Sequence, residues 1–267
     1  MDDVKRLFWA FEVQAPWPEI FPEGRILEER FRHITAACLG NVSQKRVLDL
    51  VHEMPRPPPF KVADVGMFEA CVSLPPSIQK GNCVAWKGRS MGKDRLTPYV
   101  ETLTQFFREK GFSIEPRPFL NHVTIARAPF KEEEWKKAFD PLPYRLRGLH
   151  LYESLGHLRY RSLWSASFLP PFEPLDHVAD LAFEVRGEDV NQLYIHAQVA
   201  LAFEYPELLP YLDEKGKVET LEGAIIKLNE IVTQADEEIG IPFKALSFHG
   251  RLVKKETIFT WKMIVDV

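Results

Sequence analysis

Two of the eight histidines are followed two positions later by threonine, in His33-Ile34-Thr35 and His122-Val123-Thr124. With nine threonines in 267 residues, random placement supplies about 0.3 such pairs, so two of them mark a pattern. Both motifs lie in strand-like stretches, where residues i and i+2 share a face. Each therefore projects an imidazole and a hydroxyl side by side, while Ile34 and Val123 turn toward a core. If the two strands face one another, two imidazoles flank one cavity. Such a set suits in-line attack on a phosphodiester. One histidine takes a proton from water, the other gives one to the leaving oxygen, and the hydroxyls hold the non-bridging oxygens. Histidine serves both roles because its ordinary pKa lies near neutrality. The blander reading, a strand histidine bonded to backbone, explains one motif well and the pair poorly.

Strands that could position these groups are expected at 5–13, 31–39, 60–68, 82–88, 121–128, 144–155 and 160–169. Helices fit 43–54, 96–111 and 131–139, the second from Leu103, Phe106 and Phe107 with a stop at Gly111. The stretch Phe168-Leu169-Pro170-Pro171-Phe172-Glu173-Pro174 reads as an extended, proline-rich linker. It divides the chain into domains at 1–169 and 174–267, with 170–173 between them. Beyond it, a strand at 179–186, helices at 190–204 and 219–238 and closing strands at 243–254 and 257–267 make a small α+β unit.

The overall net charge of −4 conceals an asymmetry. Residues 1–170 carry a net +5 and residues 171–267 a net −9, which points to modules with different partners. Arg117, Arg145 and other cations of the basic half could contact phosphates, although a solvated surface explains most of them equally well. A hydrophobic fraction of 45% supports folded cores and excludes a disordered class. Cys38, Cys71 and Cys83 lack any C-x-x-C spacing, which argues against a disulfide framework or a cysteine zinc site. No apolar run is long enough to span a bilayer, and the acidic start Met1-Asp2-Asp3 is unlike a secretory signal. A cytoplasmic protein without membrane association is expected. Lys87-Gly88-Arg89-Ser90-Met91-Gly92-Lys93 superficially mimics a phosphate loop and reads instead as a mobile hairpin.

The first half resembles the two-histidine phosphoesterases, specifically the LigT-like RNA 2′,3′-cyclic phosphodiesterases. The resemblance covers about residues 4–169. It is carried by Arg6-Leu7-Phe8-Trp9-Ala10-Phe11, both H-x-T motifs, Gly66-Met67-Phe68 and Leu151-Tyr152-Glu153-Ser154. It implies a bilobal, pseudo-symmetric fold with a cleft between two sheets. It also implies hydrolysis of RNA 2′,3′-cyclic phosphate ends to 2′-phosphate without a cofactor. His122 matches the base and His33 the acid, with Thr35, Thr124 and Arg127 as phosphate binders. Simple alternation puts Arg127 on the face opposite His122, so only a strand end or a bulge would bring it to the phosphate.

The acidic half resembles archease, the accessory protein of the GTP-dependent RNA ligase that seals tRNA exons. The residues that carry this are Leu175-Asp176-His177-Val178-Ala179-Asp180-Leu181-Ala182-Phe183, Lys227-Leu228-Asn229-Glu230, Phe243-Lys244-Ala245-Leu246 and Ile264-Val265-Asp266-Val267. The resemblance implies a divalent cation, Ca²⁺ or Mg²⁺, on Asp180 and Asp266, a ligase-activating role for Lys244, and such a ligase as partner. The expected whole is an α+β chain, a bilobal phosphoesterase fold followed by a shortened archease-like domain, acting in RNA repair or tRNA splicing. The rival expectation is a non-catalytic adaptor that binds RNA ends and docks a ligase.

Overall fold

The computed structural model describes residues 3–56, 61–75, 82–176, 180–247 and 251–267. In chain order the strands are β1 (Val4–Gln14), β2 (Arg25–Ile26), β3 (His33–Ser43), β4 (Val65–Leu74), β5 (Cys83–Ser90), β6 (His122–Arg127), β7 (Leu142–Gly156), β8 (Arg159–Ser167), β9 (Phe172–Leu175), β10 (Leu181–Gly187), β11 (Ala245–Leu246), β12 (Val253–Lys255) and β13 (Ile258–Asp266). The helices are α1 (Gln44–Asp49), α2 (Leu96–Glu109), α3 (Glu132–Lys137), α4 (Val190–Glu204) and α5 (Leu221–Ile239).

The first eight strands form one sheet in the order β1-β3-β6-β5-β4-β7-β8, with β2 beside β6. Strand β7 pairs with β4 through its first residues and with β1 further along, so six strands close into a ring. This barrel-like closure replaces the expected two separate sheets, so the place for a cleft is one face of the ring rather than a gap between lobes. The central seam is narrow, because β3 meets β6 at the single pair Ile34↔Val123.

Alternation along β1 decides the two faces. Leu7, Trp9, Phe11 and Val13 enter the main core, while Phe8 and Ala10 lie on the opposite side with Tyr152. Helix α2 covers the core face, where Phe107 stacks on Trp9 and Tyr99 meets the edge of Phe11. The anticipated helix at 43–54 is α-helical only to Asp49, with Ser43 capping its start and turns continuing to Met54.

The second sheet has the order β11-β13-β10-β9, with β12 beside β13. Phe172 and Glu173, expected in the linker, belong to β9 and pair with β10. Helix α4 is started by Asp189, whose carboxylate accepts from the Gln192 amide. Gly187 lets that helix approach the end of β10, since a Cβ there would lie 2.5 Å from the Leu193 nitrogen. Residues 193–202 are buried without interruption. A helix that is apolar all round has protein on every side, and α4 packs on the second sheet, on α5, and on β4 and β7 of the first half. The anticipated strand at 243–254 is two short strands, and 248–250 lie outside the described residues.

The two halves share a core. Val65 and Met91 are buried with Phe172, Phe183 and the α4 side chains. The Arg89 guanidinium bonds Glu214, and Arg95 spans Asp64 and Glu188 at 2.5 and 2.7 Å. The segment 87–93, anticipated as a mobile hairpin, is therefore the docking edge of the second half.

Candidate active site

The register that places Ile34 opposite Val123 puts His33 across from Thr124 and Thr35 across from His122 when continued by one residue. The two motifs are thus related by a local two-fold axis through the seam. Ile34 and Val123 are fully buried in the core, so the two imidazoles and the two hydroxyls share the other face.

Each imidazole is oriented by the same device. His33 Nδ1 lies 2.6 Å from the carbonyl oxygen of Phe31, and His122 Nδ1 lies 2.8 Å from that of Leu120. A carbonyl only accepts, so Nδ1 carries the proton and Nε2 keeps its lone pair in the neutral ring. Neither Nε2 has a partner among the described residues, and neither do the Thr35 and Thr124 hydroxyls. Two backbone carbonyls, each two residues upstream of its histidine, therefore present two basic nitrogens to one space.

A bulge follows each motif. On β6, Thr124 pairs with Ala85 and Ala126 with Val84, leaving Ile125 unmatched. On β3, Thr35 pairs with Ala10 and Ala37 with Trp9, leaving Ala36 unmatched. The extra residue reverses the alternation. Ile125 and Ala126 are both in the core, as are Ala36 and Ala37. Arg127 is thereby returned to the face of His122, and Cys38 to the face of His33. Arg127 acts electrostatically on both imidazoles.

Burial pushes the His33 ring down to about 4, against the opposing pull of the Phe31 carbonyl, and the positive fields of His122, Arg127 and His150 add to the fall. Phe8, Tyr152 and Tyr160 supply the apolar surroundings, with ring centroids 5.0, 5.8 and 5.1 Å from His33. Burial also lowers His122, opposed by the Leu120 carbonyl and aided by Arg117 and Arg127. Both shifts favour the uncharged ring at neutral pH.

The five expected residues His33, Thr35, His122, Thr124 and Arg127 come together. Arg117, in sequence one cation among many, stands around the same space, as do Arg6, Cys38 and Tyr160, which sequence reasoning did not single out. One signal was available for Cys38, which follows His33 by five residues as Arg127 follows His122. Arg145 is not free to contact phosphate. Its guanidinium donates to the Phe172 carbonyl and lies over the Phe172 ring, 4.6 Å from the centroid.

Asp180, Asp266 and Lys244 meet elsewhere, at one end of the second sheet. The pair Leu181↔Val265, continued by one residue, sets Asp180 across from Asp266. The Lys244 amide donates to the Asp266 carbonyl at 2.9 Å, and its ammonium lies 2.8 Å from the Val267 main-chain oxygen. Among the described residues no cluster of three or more histidine, cysteine or acidic side chains could hold a metal. No helix of the described residues is long and apolar enough to cross a membrane.

Neither a protein-family model nor a curated protein matches the chain. Among solved structures it is similar to E. coli LigT complexed with 3′-AMP, at 20% identity and a TM-score of 0.43 over 62% of this chain and 99% of that one. A phosphoesterase structure matches at 21% identity and a TM-score of 0.43 over 62% and 99%. The protein TT0787 of Thermus thermophilus matches at 16% identity and a TM-score of 0.45 over 61% and 97%.

Proposed function

We propose that the first half is a two-histidine phosphoesterase that opens the 2′,3′-cyclic phosphate at RNA ends. The observation that supports it most is the symmetric pair of imidazoles, each locked through Nδ1 with Nε2 free on the face that carries both threonines and Arg127. His122 Nε2 removes a proton from water as the water oxygen bonds to phosphorus. The bond from phosphorus to the 3′ oxygen breaks, and His33, protonated once the anion is bound, gives its Nε2 proton to that oxygen. A 2′-phosphate and a free 3′-hydroxyl remain. Thr35, Thr124 and Arg127 hold the non-bridging oxygens, where negative charge grows. The imidazoles carry every proton, so the reaction as drawn uses no metal.

The second half is read as a shortened archease-like module that serves a GTP-dependent RNA ligase, with Lys244 as the contact residue. Asp180 and Asp266 offer hard oxygen donors that suit Ca²⁺ or Mg²⁺. Joining the two halves would place consumption of a cyclic phosphate end and service to its sealing enzyme on one chain. The place of action is proposed to be the cytoplasm.

The test is incubation with a short RNA ending in 2′,3′-cyclic phosphate, with and without chelator. Turnover should survive chelation, and His33→Ala and His122→Ala should each lower the rate on the order of 10²–10⁴-fold. Thr35→Val and Thr124→Val should cost less. Full turnover by His122→Ala would discard the mechanism, whereas RNA-end binding without turnover by the wild-type protein would favour the adaptor reading.

A further inference from the structure

Three arginines close on the cleft from different elements. Arg6 lies on β1, Arg117 in the segment before β6, and Arg127 at the end of β6. None makes a side-chain hydrogen bond or ion pair to another described residue. Each of three groups in the cleft wall feels two of them. His122 feels Arg117 and Arg127, Cys38 feels Arg117 and Arg6, and Tyr160 feels Arg127 and Arg6. Three uncompensated cations around one space repel one another, and an anion with more than one charge relieves that repulsion.

The cleft has a direction. Along β1 the residues on its face are Arg6, Phe8, Ala10 and Glu12, and their partners on β3 include Asn41, Cys38, Thr35 and His33. At the Glu12 end, the carboxylate accepts from His150 Nε2 at 3.2 Å and faces Arg147 at 3.8 Å. The His150 hydrogen bond holds the Glu12 carboxyl below the usual range, so the carboxylate stays ionised and occupies the Arg147 cation, which is therefore not free as Arg6 is. At the opposite end Arg6 and Asn41 are exposed. Gly40, next to Asn41, has φ +76° and no heavy atom within 4 Å of where a Cβ would stand, so the backbone turns there without crowding. Arg6 is four residues from Ala10, the partner of Thr35, or roughly 13 Å along the strand. The phosphate held by Thr35 does not extend that far.

We propose that RNA upstream of the reacting phosphate leaves the cleft along the β1–β3 pair, past Cys38 to Arg6 and Asn41, with Arg117 gripping it from the side. The site therefore selects single-stranded oligonucleotide ends over isolated nucleotides. This rests on the hydrolytic reading above for its substrate, and it goes further by assigning the polarity of the bound strand and the residues that read its length.

The experiment compares kcat/KM for a nucleoside 2′,3′-cyclic monophosphate with that for a single-stranded tetranucleotide ending in the same group. The wild-type ratio should favour the tetranucleotide at least tenfold. Arg6→Ala and Arg117→Ala should each move that ratio toward one, Arg6→Lys should keep part of it, and Arg147→Ala at the Glu12 end should preserve it. Removing one arginine should also flatten the salt slope for the tetranucleotide by about 0.7. A wild-type ratio of one, or an equal loss in Arg147→Ala, would overturn the proposal while leaving hydrolysis intact. Anisotropy with a labelled tetranucleotide ending in 2′-phosphate separates the two ideas. Binding that needs Arg6 and Arg117, without turnover of either substrate, would remove the hydrolytic reading and keep the track. Binding indifferent to both arginines would remove the track.

Discussion

The protonation of His33 should depend on an anion in the cleft. In the free protein its pKa is held at about 4, first by burial and then by the fields of His122, Arg127 and His150. A neutral His33 cannot act as an acid, so the proposed reaction needs its pKa to rise on binding. Sulfate supplies the test charge, because it does not titrate in this range. Arg127 offsets part of that charge, so one uncompensated unit is a fair count. At roughly 5 Å, with an effective dielectric constant of about 20, that unit contributes ~3 kcal/mol, or about 2 pKa units. His33 should therefore move from about 4 to about 6 when sulfate saturates the site, and His122 should rise as well. Proton NMR titration of the imidazole C–H signals, assigned with His33→Asn and His122→Asn, follows both rings. The sign is opposite for stability. A histidine with a lowered folded pKa binds fewer protons folded than unfolded, so its contribution is lost as pH falls from about 6.5 toward about 4. Sulfate should reduce that loss. A free-state His33 titrating near 6.5, or a pKa unmoved by sulfate, would refute the electrostatic account of the cleft. Arg127→Ala provides the internal control, since removing a cation should raise both rings in the free protein.

Two further outcomes concern the second half and its attachment. Arg95→Ala strips Asp64, which is only 6% exposed, of a cation at 2.5 Å, and should destabilise the chain by about 3–5 kcal/mol at neutral pH. Burial already lifts the Asp64 carboxyl to about 6. The deficit should therefore narrow in thermal melts at pH 5, where that group is protonated, and a pH-independent deficit would show that its charge is not the cause. Millimolar Ca²⁺ should raise the melting temperature through binding to the folded state, and Asp180→Asn or Asp266→Asn should abolish the increment. Calorimetry without heat of binding would leave the two as strand-end acids.

Period-two patterning alone puts the candidate groups on one face. His33 and Thr35, like His122 and Thr124, share a face because strand geometry alternates, and the intervening Ile34 and Val123 are core residues for the same reason. The long helices α2, α4 and α5 were equally readable, because their apolar residues recur over many turns. Arg127 was different. Alternation sends it to the wrong face, and only the unmatched Ile125, set by pairing with β5, brings it back. Local sequence does not encode a bulge that depends on a partner strand some 40 residues away. Arg6 and Arg117 likewise owe their place in the cleft to strands and segments brought together by the ring. The proline-rich stretch reads as an extended linker, because proline extends a chain without deciding what pairs with it. Phe172 lies against α4, and the apolar area buried there turns a linker into an edge strand. Composition specified two differently charged halves. Their contact is decided by Val65, Met91 and a helix that must be covered on every side, a demand that only packing of the whole chain can meet.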